Sequence, residues 1–180
     1  MPETETMLDM KSLRICRFLV VALAMAVMTA APATAQDATT IFLVRHAEKI
    51  DDSRDPELSE AGHARAAALA TALRHSGIEH VHSTDYIRTR DTAAPVAERL
   101  GLSVELYDPR ALPAFAEQLR AAGGRHLVVG HSNTTPGMVS LLGGEAGSEI
   151  VEATEYDRLY IVTVMPGGKA STVLLRYGSP

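Results

Sequence analysis

Cysteine is almost absent from this sequence. The 180 residues contain one cysteine, Cys16, which precedes an apolar stretch near the start of the chain. A single cysteine cannot form a disulfide within the chain, so a disulfide framework is excluded. We therefore expect the fold to be stabilised by packing alone.

Aromatic residues and basic runs are also scarce. Tryptophan is absent and aromatic residues make up 4% of the chain, whereas apolar residues make up 46%. This composition favours a folded domain whose core is built mainly from alanine, leucine and valine. The formal net charge is −5, and basic residues cluster only near the N-terminus. A nucleic-acid partner is therefore not expected, although a local arginine cluster could still bind a small anion.

The N-terminal segment has the three parts of a secretory signal. Basic residues occur between positions 11 and 17, an apolar stretch covers 18–31, and an A-x-A pattern ends at Ala35. The apolar stretch is shorter than the roughly 20 residues that a membrane span requires. We therefore predict a signal peptide over residues 1–35, cleaved after Ala35, and a mature domain over 36–180. The expected location is periplasmic or secreted, with no stable membrane anchor after cleavage.

Strand and helix patterns alternate along the mature domain. Strands are predicted at 39–44, 79–83, 103–106, 126–130, 158–165 and 171–177, and helices at 58–77, 85–101, 113–124 and 134–142. Ser59 and Gly77 are expected to bound the first helix. This alternation predicts an α/β fold, a three-layer sandwich with a mostly parallel central sheet, helices on both faces and one C-terminal antiparallel hairpin.

Four polar side chains follow the predicted strands. Arg45 and His46 come directly after the first strand, His131 follows the fourth, and Arg88 lies in the first turn of the helix after the second. Ligands of such sheets bind at the carboxyl ends of the strands, so these side chains are expected at one rim. Two arginines there suit a tetrahedral oxyanion, and a histidine beside it can act as nucleophile. A carboxylic acid is still needed to protonate the leaving oxygen.

Four segments in order resemble the histidine phosphatase superfamily, whose best-known members are the cofactor-dependent phosphoglycerate mutases. They are "LVRHAEK", "LSEAGHARA", "STDYIRTRDTA" and "VVGHSNTTP". The resemblance implies that His46 is the nucleophile that becomes phosphohistidine. It implies that Arg45, Arg88 and His131 complete the phosphate pocket, and that the protein needs no metal or other cofactor.

The chain is shorter than the mutases of that family, which carry inserted segments over the substrate. We therefore favour a metal-independent phosphomonoester hydrolase acting on a small phosphorylated substrate over a mutase-type phosphotransferase. The family's acid usually follows the third strand. Asp108 is the best-placed candidate for it and Glu48 the second. Glu48 and Lys49 are also candidates for substrate binding, as an alternative to an exposed ion pair. Asn133 is expected either to bind phosphate or to cap the following helix.

Two other functions compete with this prediction. Ser132 follows a strand and precedes a helix, as the nucleophile of a serine hydrolase does, but no histidine follows it to complete the usual order. A phosphate pocket without a working acid could instead hold an anionic sugar or headgroup without turnover. His80 and His82 share one face of a strand, but no cysteine or carboxylate cluster supports a metal site there.

Overall fold

The computed structural model describes residues 37–179. The predicted signal peptide over residues 1–35 lies outside them. Within the described residues no helix is long and apolar enough to span a membrane. The strands are β1 (Thr39–Arg45), β2 (His80–Ser83), β3 (Val104–Leu106), β4 (Arg125–Gly130), β5 (Arg158–Val164) and β6 (Ala170–Arg176). The helices are α1 (Glu60–Ala72), α2 (Ile87–Leu100), α3 (Leu112–Ala122) and α4 (Thr134–Leu141).

The six strands form one mixed sheet in the order β3-β2-β4-β1-β5-β6. The pairs β3–β2, β2–β4 and β4–β1 are parallel, and β5 pairs antiparallel with both β1 and β6. The predicted mostly parallel sheet and its C-terminal hairpin are therefore confirmed.

Helices cover both faces of the sheet, as predicted. Alternate side chains of β1 point to opposite faces, because successive residues of a strand do so. Phe42 and Val44 join a core with α1 and α2, whereas Ile41 and Leu43 join a second core with α3 and α4. Buried β1 thus contributes to both cores, and this explains why its sequence reads as one continuous apolar run.

The first helix begins as predicted and ends earlier. The hydroxyl of Ser59 accepts a hydrogen bond from the backbone N–H of Gly62 at 3.1 Å, which is the expected cap. The helix ends at Ala72, however, and Gly77 with its φ of 69° closes a separate turn. Polar Arg74 and His75 are exposed. The carbonyl of Leu73 accepts from both the backbone N–H and the hydroxyl of Ser76, at 3.0 and 2.7 Å, so a tighter turn replaces the next helical turn.

Gly62 allows α1 to approach the chain just after β1. A Cβ at this position would lie 2.2 Å from the carbonyl oxygen of Glu48. Any other residue would push α1 away from the segment that follows Arg45 and His46. The glycine of "LSEAGHARA" is therefore explained by close backbone packing.

Candidate active site

The carboxyl ends of β1 and β4 place two histidines side by side. Arg45 pairs with Gly130 at the ends of these strands, and the backbone N–H of His46 donates to the carbonyl of Gly130 at 2.9 Å. The ring centroids of His46 and His131 are consequently 5.6 Å apart. A Cβ on Gly130 would lie 3.0 Å from the hydroxyls of Thr134 and Tyr107, so glycine lets these side chains pack closely against the end of β4.

His46 is held in one tautomer. Its Nδ1 lies 2.8 Å from the carbonyl oxygen of Ala47. A carbonyl only accepts, so Nδ1 carries the proton and Nε2 carries the lone pair. No described residue hydrogen-bonds Nε2. Burial, opposed by the Ala47 hydrogen bond and reinforced by Arg45 and Arg88, lowers the pKa of His46 to about 3. The imidazole is therefore neutral, with a free lone pair, at ordinary pH.

Arg45 supplies a buried positive charge behind His46. It is 1% exposed, its Nη1 donates to the carbonyl of Glu155 at 3.1 Å, and its Cζ lies 4.0 Å from the centre of the Tyr156 ring. Within residues 37–179 its Nε and Nη2 have no hydrogen-bond partner. Buried guanidinium nitrogens are normally paired, so this arrangement suits an anion that can accept both hydrogen bonds.

Arg88 reaches the same place from the first turn of α2. Its Nη2 lies 3.5 Å from Nδ1 of His131, and its Cζ lies 4.5 Å from the centre of the Tyr86 ring. Asp55 lies 3.6 Å from its Nη1 and partly balances its charge. The segment after β1 is tied to α2 as well. The backbone N–H of Ala47 donates to the hydroxyl of Thr92, one turn after Arg88, at 2.9 Å.

His131 is also neutral. Its Nε2 contacts the hydroxyl of Thr84 at 3.0 Å, and Arg88, which can only donate, faces Nδ1. Burial, reinforced by the charges of Arg88 and Arg45, lowers the pKa of His131 to about 4. A bound dianion would reverse this balance and favour the protonated imidazole.

An open cavity of about 500 Å³ joins these groups. It is lined by His46, Lys49, Tyr86, Arg88, Pro109, Arg110, His131, Ser132, Asn133, Thr134 and Glu152. Lys49 and Asn133 are thus brought to the cavity, and the side chain of Asn133 does not cap α4. The lining combines histidine, arginine and lysine with a helix start, which suits a phosphate group.

The two acids expected from the sequence are placed elsewhere. Asp108 lines a different cavity, and both of its carboxylate oxygens accept from Arg110 at 3.0–3.1 Å. Glu48 accepts from Nε of Arg65 at 2.8 Å and pairs with its Nη2 at 2.7 Å. Arg65 comes from α1, so the sequence alone did not reveal that it would hold Glu48. Glu152 was not expected at this site, because it lies outside every recognised motif, but it lines the cavity.

Ser132 lacks the histidine that activates the nucleophile of a serine hydrolase triad. Its hydroxyl donates to Oε2 of Glu152 at 3.3 Å, and no described histidine hydrogen-bonds it. In the triad a histidine takes the proton of the serine hydroxyl. The geometry therefore gives no support to the serine hydrolase alternative.

Comparison with known proteins agrees with this arrangement. Residues 41–109 match the family model of the histidine phosphatase superfamily, branch 1. Over this segment the chain therefore resembles the histidine phosphatase superfamily.

The sequence similarity to curated relatives covers only part of this chain. A probable phosphoglycerate mutase GpmB of Yersinia pestis (strain Pestoides F) is 36% identical over 77 residues, which cover 39% of this chain and 35% of the relative. The aligned segment thus spans about a third of the length of that relative. A second such protein, from Yersinia pseudotuberculosis serotype O:1b, matches with the same identity and coverage.

Superposition on solved structures shows that the similarity covers most of the described domain. The protein histidine phosphatase SixA complexed with tungstate superposes with a TM-score of 0.63 at 19% identity, covering 77% of this chain and 97% of that one. A mycobacterial glucosyl-3-phosphoglycerate phosphatase gives a TM-score of 0.62 at 16% identity, covering 79% and 100%. At these identities the likeness establishes the shared fold.

A second histidine group lies away from this site. The rings of His80, His82 and His126 are stacked with centroids 5.0–6.1 Å apart, beside a cavity of about 430 Å³. Glu105 lies 3.0 Å from Nδ1 of His80 and 3.6 Å from Nδ1 of His82. Among residues 37–179 no group of three or more histidine, cysteine or acidic residues is arranged to hold a metal ion.

Proposed function

We propose that this chain hydrolyses a phosphomonoester by transferring the phosphoryl group to Nε2 of His46. The observation that carries the proposal is the fixed tautomer of His46. Ala47 binds the protonated nitrogen, Nε2 has no hydrogen-bond partner among the described residues, and His46 lines a cavity together with Arg88, Arg110 and Lys49. Nucleophile and charge stabilisation are thus arranged before the substrate binds, which is what phosphoryl transfer requires.

The arginines would hold the transferring phosphoryl group. The two buried nitrogens of Arg45 that lack a hydrogen-bond partner among the described residues suit two phosphate oxygens, and Arg88 lies beside His131. His131, protonated next to the dianion, would stabilise the charge that develops on the equatorial oxygens. Two relatives named as phosphatases support hydrolysis as the reaction class.

The decisive test is detection of the covalent intermediate. Wild-type protein would be mixed with a ³²P-labelled aryl phosphate in EDTA, denatured in alkali and separated from free label. We expect protein-bound label that is stable to base and released by acid, and no label on His46→Ala. Hydrolysis by His46→Ala at the wild-type rate would overturn the mechanism. Absence of both label and hydrolysis in the wild-type protein would instead favour a binding protein.

A matched substitution separates this chemistry from serine catalysis. Ser132→Ala removes a hydroxyl of the cavity wall but leaves His46 and both arginines in place. We expect its kcat/KM for an aryl phosphate to stay within about 10-fold of wild type. A loss comparable to that of His46→Ala would make Ser132 the better candidate for the nucleophile.

We also propose that the domain is exported. The support is the tripartite pattern of the first 35 residues. Expression of the full chain in a Gram-negative host, followed by fractionation and N-terminal mass analysis, tests it. Mature protein beginning at Gln36 in the periplasm or medium is the expected result, and full-length protein in the cytoplasm would contradict export.

A further inference from the structure

The proposed reaction needs a proton for the leaving oxygen, and histidine tautomers alone do not supply it. Cleavage of an unactivated ester leaves an alkoxide unless an acid protonates it. The two carboxylates expected from the sequence are paired with arginines elsewhere. Among the described residues that line the cavity, Glu152 is the one that carries a carboxylate.

Glu152 lines the same cavity as His46. Its Oε1 lies 3.9 Å from Nη2 of Arg45, the nitrogen that is free to bind a phosphate oxygen. Its Oε2 accepts from the hydroxyl of Ser132 at 3.3 Å. The side chain is 71% exposed, so both the leaving group and incoming water can reach it. A phosphate on Arg45 would therefore lie next to this carboxylate.

The loop that carries Glu152 is anchored on both sides of it. The carboxylate of Glu155 accepts from Nε and Nη2 of Arg158 at 2.8 Å each, pairs with Arg176 at 2.7 Å and accepts from the backbone N–H of Val151 at 3.0 Å. These hydrogen bonds lower the pKa of Glu155 to about 2, so it stays ionised and keeps its partners. The backbone on both sides of Glu152 is thus anchored, and its exposed side chain is held next to Arg45 and Ser132.

We propose that Glu152 is the general acid and base of this site, an inference that rests on the proposed function. In the first step Nε2 of His46 bonds to phosphorus, the ester P–O bond breaks, and the leaving oxygen takes its electron pair and the proton of Glu152. In the second step the Glu152 carboxylate removes a proton from water, and the resulting hydroxide bonds to phosphorus. The P–N bond then breaks with its electrons returning to Nε2, which releases phosphate.

Each step leaves Glu152 in the state that the other step needs. Removal of a proton from water in the second step leaves it protonated for the next first step. Transfer of the phosphoryl group to His46 leaves Glu152 ionised, as the second step requires. The same group therefore serves both steps in the order in which they occur.

Leaving-group dependence tests the acid step. Glu152→Gln keeps the shape of the side chain but cannot donate or accept the proton. We expect its kcat/KM for glycerol phosphate, whose alkoxide is a poor leaving group, to fall by about 10²–10⁴-fold. For 2,4-dinitrophenyl phosphate, which needs no acid, the loss should be below about 10-fold. Glu149→Gln, an exposed substitution in the same loop, is the matched control and should behave as wild type with both esters.

Trapping of label tests the base step. With ³²P-labelled dinitrophenyl phosphate, Glu152→Gln should form phosphohistidine normally and hydrolyse it slowly, so more label accumulates than in wild type. Equal losses with both esters would reduce Glu152 to a positioning residue and overturn the proposal, as would no loss with either. If wild-type protein forms no phosphohistidine while Glu152→Gln still loses glycerol phosphate hydrolysis, the proposed nucleophile fails and the acid does not.

Discussion

Two histidine groups occupy the same sheet and differ in what their ring nitrogens contact. In the group of His80, His82 and His126, Nε2 of His126 lies 2.6 Å from the carbonyl of Gly123 and therefore donates. Its Nδ1 then accepts from Nε2 of His82 at 3.1 Å, so both nitrogens of His126 are used inside the protein. At the carboxyl ends of the strands, Nε2 of His46 has no such partner among the described residues.

This difference in hydrogen bonding indicates which histidine is available to react. His82 and His46 are both buried and both neutral, because burial lowers the pKa of His82 to about 4 and that of His46 to about 3. Burial and a lowered pKa therefore do not distinguish a structural histidine from a candidate nucleophile. The distinguishing feature of the candidate nucleophile is a ring nitrogen whose lone pair has no hydrogen-bond partner among the described residues and which lies near a buried arginine.

Among the variants considered, His46→Ala should have the largest effect on activity. We expect turnover of an aryl phosphate to fall by about 10⁴-fold or more, because the proposed nucleophile is removed. The free energy of unfolding should change by about 1 kcal/mol or less, since the ring borders an existing cavity. Steady-state kinetics and urea denaturation of the same sample measure both quantities. A variant that is unfolded, or one that turns over normally, would contradict this assignment.

Arg88→Ala should have the next largest effect. Its guanidinium faces the cavity and His131, so its loss should lower kcat/KM by about 10²–10³-fold. Arg90→Ala is the matched control, because Arg90 is two residues away on α2 and pairs with Asp85 outside the cavity lining. Similar losses in the two variants would mean that net charge, and not position, is responsible.

Substitution of His82 should give the opposite result. His82→Ala leaves Nδ1 of His126 buried without its donor, which costs about 1–3 kcal/mol of unfolding free energy. The kcat/KM at 25 °C should remain within about 2-fold of wild type, because no cavity residue of the active site contacts this ring. Urea denaturation measures the stability change. Loss of activity in a folded His82→Ala protein would show that the two groups are coupled.

The pH dependence of the free energy of unfolding tests whether His82 is neutral in the folded protein. His82 has an ordinary pKa of 6.5 when unfolded and one of about 4 when folded, so between these values the unfolded chain binds more protons. The free energy of unfolding therefore falls as pH drops from 6.5 towards 4. His82→Ala should lose about 1–2 kcal/mol less than wild type between pH 7.5 and pH 5. Parallel curves for the two proteins would contradict the buried neutral state of His82.

Much of the fold could be predicted because local pattern and burial agree. The apolar run of β1 is buried on both faces, and Ser59 and Gly101 bound their helices as expected. The rim position of Arg45, His46, Arg88 and His131 followed from one rule about parallel strands. The end of α1 could not be predicted, because the sequence does not show at which residue before Gly77 the helix gives way to a turn.

The acid could not be predicted from the sequence for a different reason. A carboxylate becomes available or unavailable through the cations that pack on it. Arg65 on α1 pairs with Glu48, and Arg110 pairs with Asp108. Glu152 lies in a loop without a recognisable pattern and reaches the cavity only through tertiary structure. The Arg65–Glu48 pair joins two separate segments, and such a pair leaves no periodic signal in the sequence.

The contact between Arg45 and Tyr156 gives this protein a spectroscopic use. The sequence has no tryptophan, and the Tyr156 ring lies on the guanidinium that is expected to bind phosphate. Tyr156→Trp would place a single indole there, in a contact that indole makes well. Its fluorescence would report on anion binding at this arginine without any background emission from another tryptophan. Titration with inorganic phosphate or vanadate would then give a dissociation constant without the need for turnover or a known substrate.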